Sequence, residues 1–226
     1  MLPFDSLTLV ALLGWGTLVG LDLVSVPQMM ISRPLVAGAI AGALVGDTDT
    51  GIRVGLVVEL FALDVLAVGA ARYPDYGPAT VAAAATAAGA GGDWKAALAP
   101  AILVGLLIAR LGGWTLPALR HANARLVQRH AAALAAGDSR TIMRIHGLGL
   151  AWDLLRSLSL TALGLALGRL LLRWPLPGEH WGPVVAVVGA GLAAAGSGAL
   201  RSAGRTPRLA WLGAGVVAGS AWVALR

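Results

Sequence analysis

The sequence predicts an all-α fold, a polytopic integral membrane helical bundle in which several helices are short or broken. The chain of 226 residues is 58% hydrophobic and 12% charged, whereas soluble domains carry about 25% charged residues. Its mean hydropathy is +0.79. Glycines also recur at intervals of four, as in Gly38, Gly42 and Gly46 or in Gly51 and Gly55. Small residues at that spacing let helix backbones approach closely in lipid, so the pattern favours packed membrane helices.

Apolar runs divide the chain into predicted helices separated by Pro, Gly and charged residues. In chain order the predicted helices cover residues 6–21, 34–45, 52–68, 80–90, 94–111, 143–172, 182–195 and 209–225. The helix at 34–45 would cover only about 18 Å, against about 30 Å for a bilayer core. Short hydrophobic segments interrupted by Gly or Pro are typical of broken, re-entrant transporter helices. Two ordinary short helices joined by a hairpin are the alternative.

Each break between these helices carries polar residues. Asp47 and Asp49 follow the short helix and are predicted to be turn and cap residues. Asp75 follows a proline, which cannot continue a helix, so we expect Asp75 to cap the next helix, with ligand contact as a second role. Gln28 both donates and accepts hydrogen bonds, which suits a hydroxylated ligand. Arg33 is predicted to be a membrane-surface anchor or an ion-pair partner.

Two carboxylates interrupt the apolar helix predicted at 52–68. Glu59 and Asp64 are five residues apart and therefore point about 140° apart on a helix, too far to form one carboxylate pair. A carboxylate in hydrocarbon costs at least about 2.5–3.5 kcal/mol on insertion scales. Glu59 is therefore the first candidate to face a ligand cavity. Asp64 is the second, because Arg53 or Arg72 would be able to neutralise it.

Three further polar residues share one face of the predicted helix 143–172. His146 and Asp153 are seven residues apart, and Arg156 follows three residues later. A buried Asp153–Arg156 pair is the plain interpretation. A role for all three as intramembrane polar residues in gating or substrate contact is the alternative.

The net charge of +6 comes from arginines that cluster in two segments. The clustered arginines are Arg110, Arg120, Arg125, Arg129, Arg140 and Arg144 in the first segment and Arg201, Arg205 and Arg208 in the second. Basic residues beside spans mark cytoplasmic loops, so we expect both segments in the cytoplasm and no nucleic-acid partner. Residues 116–145 are predicted to form an amphipathic helix that lies on the membrane surface or docks a cytosolic partner.

The sequence offers no pattern typical of a self-sufficient enzyme site. It has no cysteine, and its four histidines are not spaced as metal ligands. Phosphate-binding, serine-hydrolase and zinc-protease motifs do not occur. We therefore expect no metal and no cofactor.

The block from Ser32 to Asp75 resembles the N-terminal part of the membrane IIC component of mannose/fructose/sorbose-type phosphotransferase systems. The family pattern is Arg-Pro before a small-residue helix, then GDxxTG, a helix with Glu or Gln, and a Gly-containing segment that ends in Pro-Asp. The matching residues are Arg33-Pro34, Gly46-Asp47, Thr50-Gly51, Glu59, Gly69-Ala70 and Pro74-Asp75. A second stretch matches at His121, Asn123, Gly137-Asp138, His146 and Arg156.

The resemblance implies a single IIC-type domain over residues 1–226 with an elevator-like fold. Residues 1–111 would hold the N-terminal spans and the broken-helix substrate region, residues 112–145 the basic cytosolic or interfacial segment, and residues 146–226 the C-terminal spans. Such a chain would be a multi-pass protein of the bacterial inner membrane, embedded in lipid and oligomeric.

The resemblance also implies a sugar-translocating permease subunit. A IID membrane subunit would be its partner, and cytosolic IIA and IIB phosphocarriers would carry out phosphoryl transfer, so this chain would not be the enzyme. Glu59, Asp75, Gln28 and Asp64 are then the candidate sugar ligands. A non-transporting membrane scaffold or sensor that recruits phosphocarriers remains open, as does an ion-coupled secondary transporter that uses Glu59 or Asp64.

Overall fold

The computed structural model describes residues 4–63, 72–91, 94–173 and 181–199. This part of the chain forms helices and no strand, which confirms the predicted all-α class. The helices are α1 (Ser6–Asp22), α2 (Pro34–Val45), α3 (Thr48–Ala62), α4 (Tyr76–Ala88), α5 (Trp94–Arg129), α6 (Ala131–Ala135), α7 (Ser139–Leu171) and α8 (Trp181–Ala199). The helix predicted at 209–225 and the end of the one predicted at 52–68 lie outside the described residues.

Helix α1 ends in a break that its last residue organises. The buried carboxylate of Asp22 accepts hydrogen bonds from the backbone N–H groups of Met29 (2.7 Å) and Ser32 (3.0 Å). Met30, between them, has a positive φ of 64°, which few non-glycine residues adopt. The buried carboxylate therefore holds residues 23–33 in a compact turn between α1 and α2.

Helices α2 and α3 form a hairpin whose termini follow directly from the sequence. Pro34 occupies the first turn of α2, where its missing N–H costs nothing. Gly46 ends α2 in the left-handed conformation, with φ of 89°. Asp47 then caps α3 through a hydrogen bond from the Thr50 N–H (3.0 Å), as predicted.

The two helices of the hairpin touch backbone to backbone through the predicted glycines. A Cβ on Gly42 would lie 2.7 Å from Gly51 Cα, and one on Gly55 would lie 2.7 Å from the Pro34 carbonyl oxygen. With 12 and 15 residues, the helices are about 18 and 22 Å long, so neither crosses a bilayer core of about 30 Å.

Helix α4 lies at the centre of the bundle. Every residue from Gly77 to Ala88 is buried, and α4 packs against α1, α2, α3, α5 and α7. Alanine side chains allow this many neighbours to approach one helix. The helix begins at Tyr76 rather than at residue 80, because the turn after Pro74 leads directly into it.

Helix α5 is longer than predicted. The expected span at 94–111 continues as one helix of 36 residues to Arg129, through Gly112, Gly113 and Pro117. The glycines do not end the helix. Their lack of side chains instead allows the segment before α4 to pack closely against α5. A Cβ on Gly113 would lie 2.7 Å from the Tyr73 carbonyl oxygen. The segment predicted as one amphipathic helix, 116–145, is therefore divided among α5, α6 and α7.

Two of the described helices, α5 and α7, are long and apolar enough to cross a membrane, while α1, α2 and α8 contain shorter apolar stretches. Large apolar side chains on these helices face outward. Among them are Leu7, Val10, Leu103, Leu107, Leu155, Leu163, Val185 and Leu192. Surfaces of this kind are covered by lipid or by another membrane chain.

Candidate functional site

Three charged side chains from distant parts of the sequence meet inside the bundle. Arg156 Nη1 lies 2.8 Å from Asp75 Oδ2, and Arg156 Nε lies 2.8 Å from Asp153 Oδ1. The exposed fraction of the side chain is 7% for Arg156 and 0% for each carboxylate. The predicted Asp153–Arg156 pair is thus confirmed, and Asp75 joins it. Two carboxyl groups thus share one guanidinium.

The side chain of Asp75 therefore does not cap α4, which was the first role predicted for it. Asp75 occupies the N-cap position of α4, but its side chain makes no capping hydrogen bond. The carboxylate binds Arg156 instead. A buried guanidinium without a carboxylate partner would cost far more free energy than a helix without a side-chain cap. The backbone N–H of Asp75 donates to the Ala109 carbonyl (2.9 Å), and Gly112 leaves room for its side chain against α5.

The break after α1 reaches the same cluster through Ser25. The Ser25 hydroxyl donates a short hydrogen bond to Asp153 Oδ2. Asp75 Oδ1 and Arg156 Nη2 are buried without a hydrogen-bond partner among the described residues. The cluster therefore connects the α1–α2 break, the start of α4 and α7, and it keeps one acceptor and one donor uncommitted.

Glu59 lies elsewhere, at the open end of the α2–α3 hairpin. Its Oε1 forms an ion pair with Arg33 Nη2, and its Oε2 accepts a hydrogen bond from the Leu35 N–H (3.2 Å). That N–H belongs to the first turn of α2, where backbone donors lack helical partners. The exposed fraction is 16% for the Glu59 side chain and 49% for Arg33. The hairpin thus presents a carboxylate and a guanidinium side by side at its rim, with Arg33 as the predicted ion-pair partner.

The remaining predicted residues are not gathered around either group. Gln28 is exposed in the break, and its Nε2 donates to the Leu23 carbonyl (3.1 Å). His146 is exposed on α7, away from the buried pair that it was predicted to accompany. Asp64 lies outside the described residues. In the part of the chain that the structure describes, no hydrogen bond or salt bridge joins Glu59 to Asp75.

Sequence reasoning missed Ser25, Tyr73 and Arg120. The Arg120 Nη2 donates to the Tyr73 hydroxyl (3.0 Å), and the guanidinium carbon lies 5.5 Å from the centroid of the Tyr73 ring. This contact fastens the second half of α5 to the segment that carries Asp75. An aromatic residue directly before Pro-Asp was the available signal, but its partner lies 47 residues further along the chain.

An open groove of about 350 Å³ also lies on the outer surface between α5, α7 and α8. Its lining side chains are all apolar and include Pro100, Leu103, Leu107, Leu171 and Pro183. Without hydrogen-bonding side chains the groove does not suit a hydroxylated ligand.

Comparison with known proteins decides the family. Residues 6–201 match the sorbose-specific IIC component of the phosphotransferase system (PTS). This chain belongs to that family. The resemblance carried by the Arg33–Asp75 motifs is therefore confirmed, and the chain is a membrane component of PTS type.

The curated relatives match only part of their own length. The chain is 34% identical over 74 residues to the sorbose-specific EIIC component of Lacticaseibacillus casei. The matched stretch covers 33% of this chain and 26% of that protein. It is 31% identical over 83 residues to the sorbose-specific EIIC component of Klebsiella pneumoniae. That stretch covers 37% of this chain and 31% of the relative. The matched stretches thus span about a quarter to a third of these relatives.

Two solved structures share the fold at 20% sequence identity. One is described as a membrane protein, with a TM-score of 0.69 over 96% of this chain and 87% of that one. The other is a cryo-EM structure of the mannose transporter ManYZ in complex with microcin E492, with a TM-score of 0.60 and the same coverage. At this level of sequence identity the two similarities show a shared fold.

Proposed function

We propose that this chain is the sugar-translocating IIC permease subunit of a phosphoenolpyruvate-dependent sugar phosphotransferase system of the mannose/fructose/sorbose type. It acts in the bacterial cytoplasmic membrane as part of an oligomer with a IID membrane subunit. Cytosolic IIA and IIB components carry the phosphoryl group, so the sugar arrives phosphorylated. Membership of the IIC family supports this role.

The observation that carries the proposal is the Glu59–Arg33 pair at the rim of the α2–α3 hairpin. An ionised carboxylate accepts hydrogen bonds from sugar hydroxyls, and a guanidinium donates hydrogen bonds to hydroxyl oxygens. Two adjacent hydroxyls of a hexose therefore suit this pair. The glycine-packed hairpin holds the pair on short helices that do not cross the bilayer, as expected of a segment that lines a cavity.

The other candidate residues take secondary roles in this proposal. Gln28, which lies in the break between α1 and α2, supplies a further hydroxyl contact, and Asp64 supplies another. Asp75 contributes its uncommitted Oδ1 when the segment before α4 moves. Asp153 and Arg156 hold that segment against α7 in the state described here, and His146 lies on the exposed continuation of α7.

Labelled hexoses supplied to cells test the function. Cells that express the chain with its IIA, IIB and IID partners should accumulate labelled sugar phosphate. Free labelled sugar inside the cells would instead indicate an ion-coupled transporter. Absence of label, with the chain still inserted in the membrane, would indicate a scaffold or sensor.

Replacement of Glu59 by alanine should abolish this uptake, because the sugar loses its main acceptor, while the amount of chain in the membrane stays unchanged. Asp49→Ala is the matched control, since Asp49 is an exposed carboxylate of the same hairpin, 3.9 Å from Arg53. Uptake by the Glu59→Ala variant equal to that of Asp49→Ala would remove Glu59 from the site.

A charge exchange separates a ligand role from a purely structural one. The double variant Arg33→Glu with Glu59→Arg restores an ion pair at the hairpin rim but reverses the positions of acceptor and donor. If Glu59 binds sugar, uptake stays lost while thermal stability returns. Recovery of uptake together with stability would mean that only the ion pair matters.

A further inference from the structure

Helices α5 and α7 are both longer than a bilayer core, and their excess length emerges on the same side. With 36 and 33 residues they measure about 54 and 50 Å, against about 30 Å for the hydrocarbon core. The short α6 joins them, so residues 121–147, hereafter the cationic hairpin, form a projecting antiparallel pair. At the base of this pair, Asn123 of α5 faces Gly149 of α7, and an ideal Cβ on Gly149 would lie 3.5 Å from Asn123 Oδ1.

Aromatic residues mark the membrane boundary at the opposite end. Trp94 at the start of α5 and Trp181 at the start of α8 meet edge to face, with ring centroids 6.1 Å apart. The guanidinium of Arg53 lies 4.2 Å from the Trp94 ring, and the Lys95 ammonium lies 5.1 Å from the Trp181 ring. Tryptophan and cations together are typical of the interface between lipid and water.

Measured from Trp94, the bilayer core ends near residue 114 of α5. The tip of the cationic hairpin at Arg129 and Arg140 therefore reaches about 20 Å beyond the core, whereas the headgroup layer is only about 5–7 Å thick. Electrostatic attraction to a lipid surface fades within a Debye length of about 8–10 Å. The tip is thus out of range of the headgroups.

The cationic hairpin carries one sign of charge on an exposed surface. It holds four arginines and one acidic residue, Asp138. Hydrogen bonds from the Thr141 side chain and the Arg140 N–H hold the pKa of Asp138 below its usual range, so Asp138 remains ionised as the cap of α7. Within the described residues, no salt bridge neutralises the four arginines, which are Arg125, Arg129, Arg140 and Arg144.

Exposed apolar side chains lie among these arginines. Val127, Ile142 and Met143 are 45%, 47% and 74% exposed. Large apolar side chains on a segment that stands outside the membrane are not covered by lipid. Exposed apolar residues interspersed with arginines along such a segment are typical of a protein interface.

We infer that the cationic hairpin is the docking surface for an acidic face of a cytosolic protein. The arginines provide the charge that attracts and orients this partner. Val127, Ile142 and Met143 provide apolar side chains that are buried from water when the partner binds. Resting on the proposed function, the partner is the IIB phosphocarrier. Arg120, at the base of the hairpin, is bonded to Tyr73 two residues before Asp75, so the docked partner sits next to the segment that begins α4.

Binding of purified IIB component to the chain tests this inference. The chain with its IID partner is placed in nanodiscs of neutral phosphatidylcholine, and binding of labelled IIB is followed by fluorescence anisotropy at several salt concentrations. Arg129→Glu and Arg140→Glu should each weaken binding about tenfold, because reversed charge repels an acidic face. The slope of the logarithm of the IIB dissociation constant against the logarithm of the salt concentration should also become shallower.

Arg173→Glu is the matched control, since Arg173 is exposed at the opposite end of α7, and it should bind IIB like the unchanged chain. Arg129→Gln and Arg140→Gln repeat the measurement with a milder change, should either reversal disturb folding. Unchanged IIB binding in all four hairpin variants would overturn the inference. So would hairpin-dependent binding to vesicles containing anionic phosphatidylglycerol without binding of IIB.

The outcome is separable from that of the proposed function. If cells accumulate sugar phosphate but the hairpin substitutions do not change IIB binding, only the docking surface would be contradicted. Hairpin-dependent IIB binding without any sugar uptake would contradict the permease function alone.

Discussion

Arg156 holds two carboxylates that belong to different helices. It binds Asp153 on its own helix and Asp75 at the start of α4, and all three side chains are almost fully buried. Such clusters contribute little net stability compared with apolar packing, but removal of one partner leaves an uncompensated buried charge. The stability of the bundle therefore depends on the balance of charge at this position.

Replacement of Arg156 by leucine should lower the melting temperature of the purified chain in detergent by on the order of 10 °C. A broken buried pair costs about 3–5 kcal/mol, and about 2–4 °C corresponds to each kcal/mol in a chain of this size. Differential scanning fluorimetry measures the change, with Arg173→Leu as the exposed control.

Neutralising the carboxylates in the same variant should recover most of that loss. In the triple variant Arg156→Leu, Asp75→Asn and Asp153→Asn, no charged side chain remains in the cluster. A triple variant that melts as early as Arg156→Leu alone would show that packing of the arginine side chain, rather than charge, is responsible.

At the scale of elements, glycine determines how closely α2 and α3 approach. An ideal Cβ on Gly42 would lie 2.6 Å from the Asp47 carbonyl oxygen and 2.7 Å from Gly51 Cα. Both are backbone atoms, which cannot move aside as the end of a flexible side chain would. The hairpin that carries Glu59 and Arg33 therefore depends on the absence of side chains along its seam.

Gly42→Ala should destabilise the hairpin by forcing the backbones apart, lowering the melting temperature by several degrees and reducing sugar uptake. Gly14→Ala is the control, because a Cβ on Gly14 meets no atom within 4 Å. Alanine favours a helix over glycine by about 1 kcal/mol, so Gly14→Ala should be neutral or slightly stabilising. Equal melting temperatures for the two variants would contradict close backbone packing as the reason for Gly42.

The sequence predicted elements best where the signal is local. The bounds of α2 were correct because Pro34 and Gly46 mark its ends within the helix itself. The end of α5 was missed because Gly112 and Gly113 resemble a helix stop, whereas they allow close contact with Asp75 and Tyr73, respectively. That contact depends on tertiary packing, which overrides local propensity.

The candidate site was predictable in part for the same reason. The Asp153–Arg156 pair lies within one helical turn, so spacing alone indicated it. Asp75 and Arg156 are 81 residues apart, and no periodicity connects them. Glu59 was recognisable as an unusual carboxylate, but its bond to Leu35 required knowledge that α2 and α3 fold back on each other.

At the scale of the whole molecule, the charge distribution orients the chain in the membrane. The cationic hairpin lies at one end of α5 and α7, and the Trp94–Trp181 contact lies at the other. Loops rich in arginine are retained in the cytoplasm. We therefore expect the hairpin to face the cytoplasm and the start of α5 to face outward.

Single cysteines test this orientation, because the chain contains none of its own. Ala136→Cys, at the hairpin tip, should react with a membrane-impermeant maleimide in inverted vesicles but not in intact spheroplasts. Arg173→Cys, beyond the other end of α7, should show the opposite pattern. Labelling of Ala136→Cys in intact spheroplasts would reverse the topology and remove the cytosolic docking surface with it.

The Asp75–Arg156 pair also has a consequence for biosynthesis. Asp75 leaves the ribosome 81 residues before its counter-ion, which at about 5–20 residues per second is an interval of about 4–16 s. During that interval the carboxylate has no guanidinium, and burying it would cost several kcal/mol. Burial of an ionised Asp75 is therefore unfavourable until α7 is made, so we expect the centre of this bundle to be among the last parts to close.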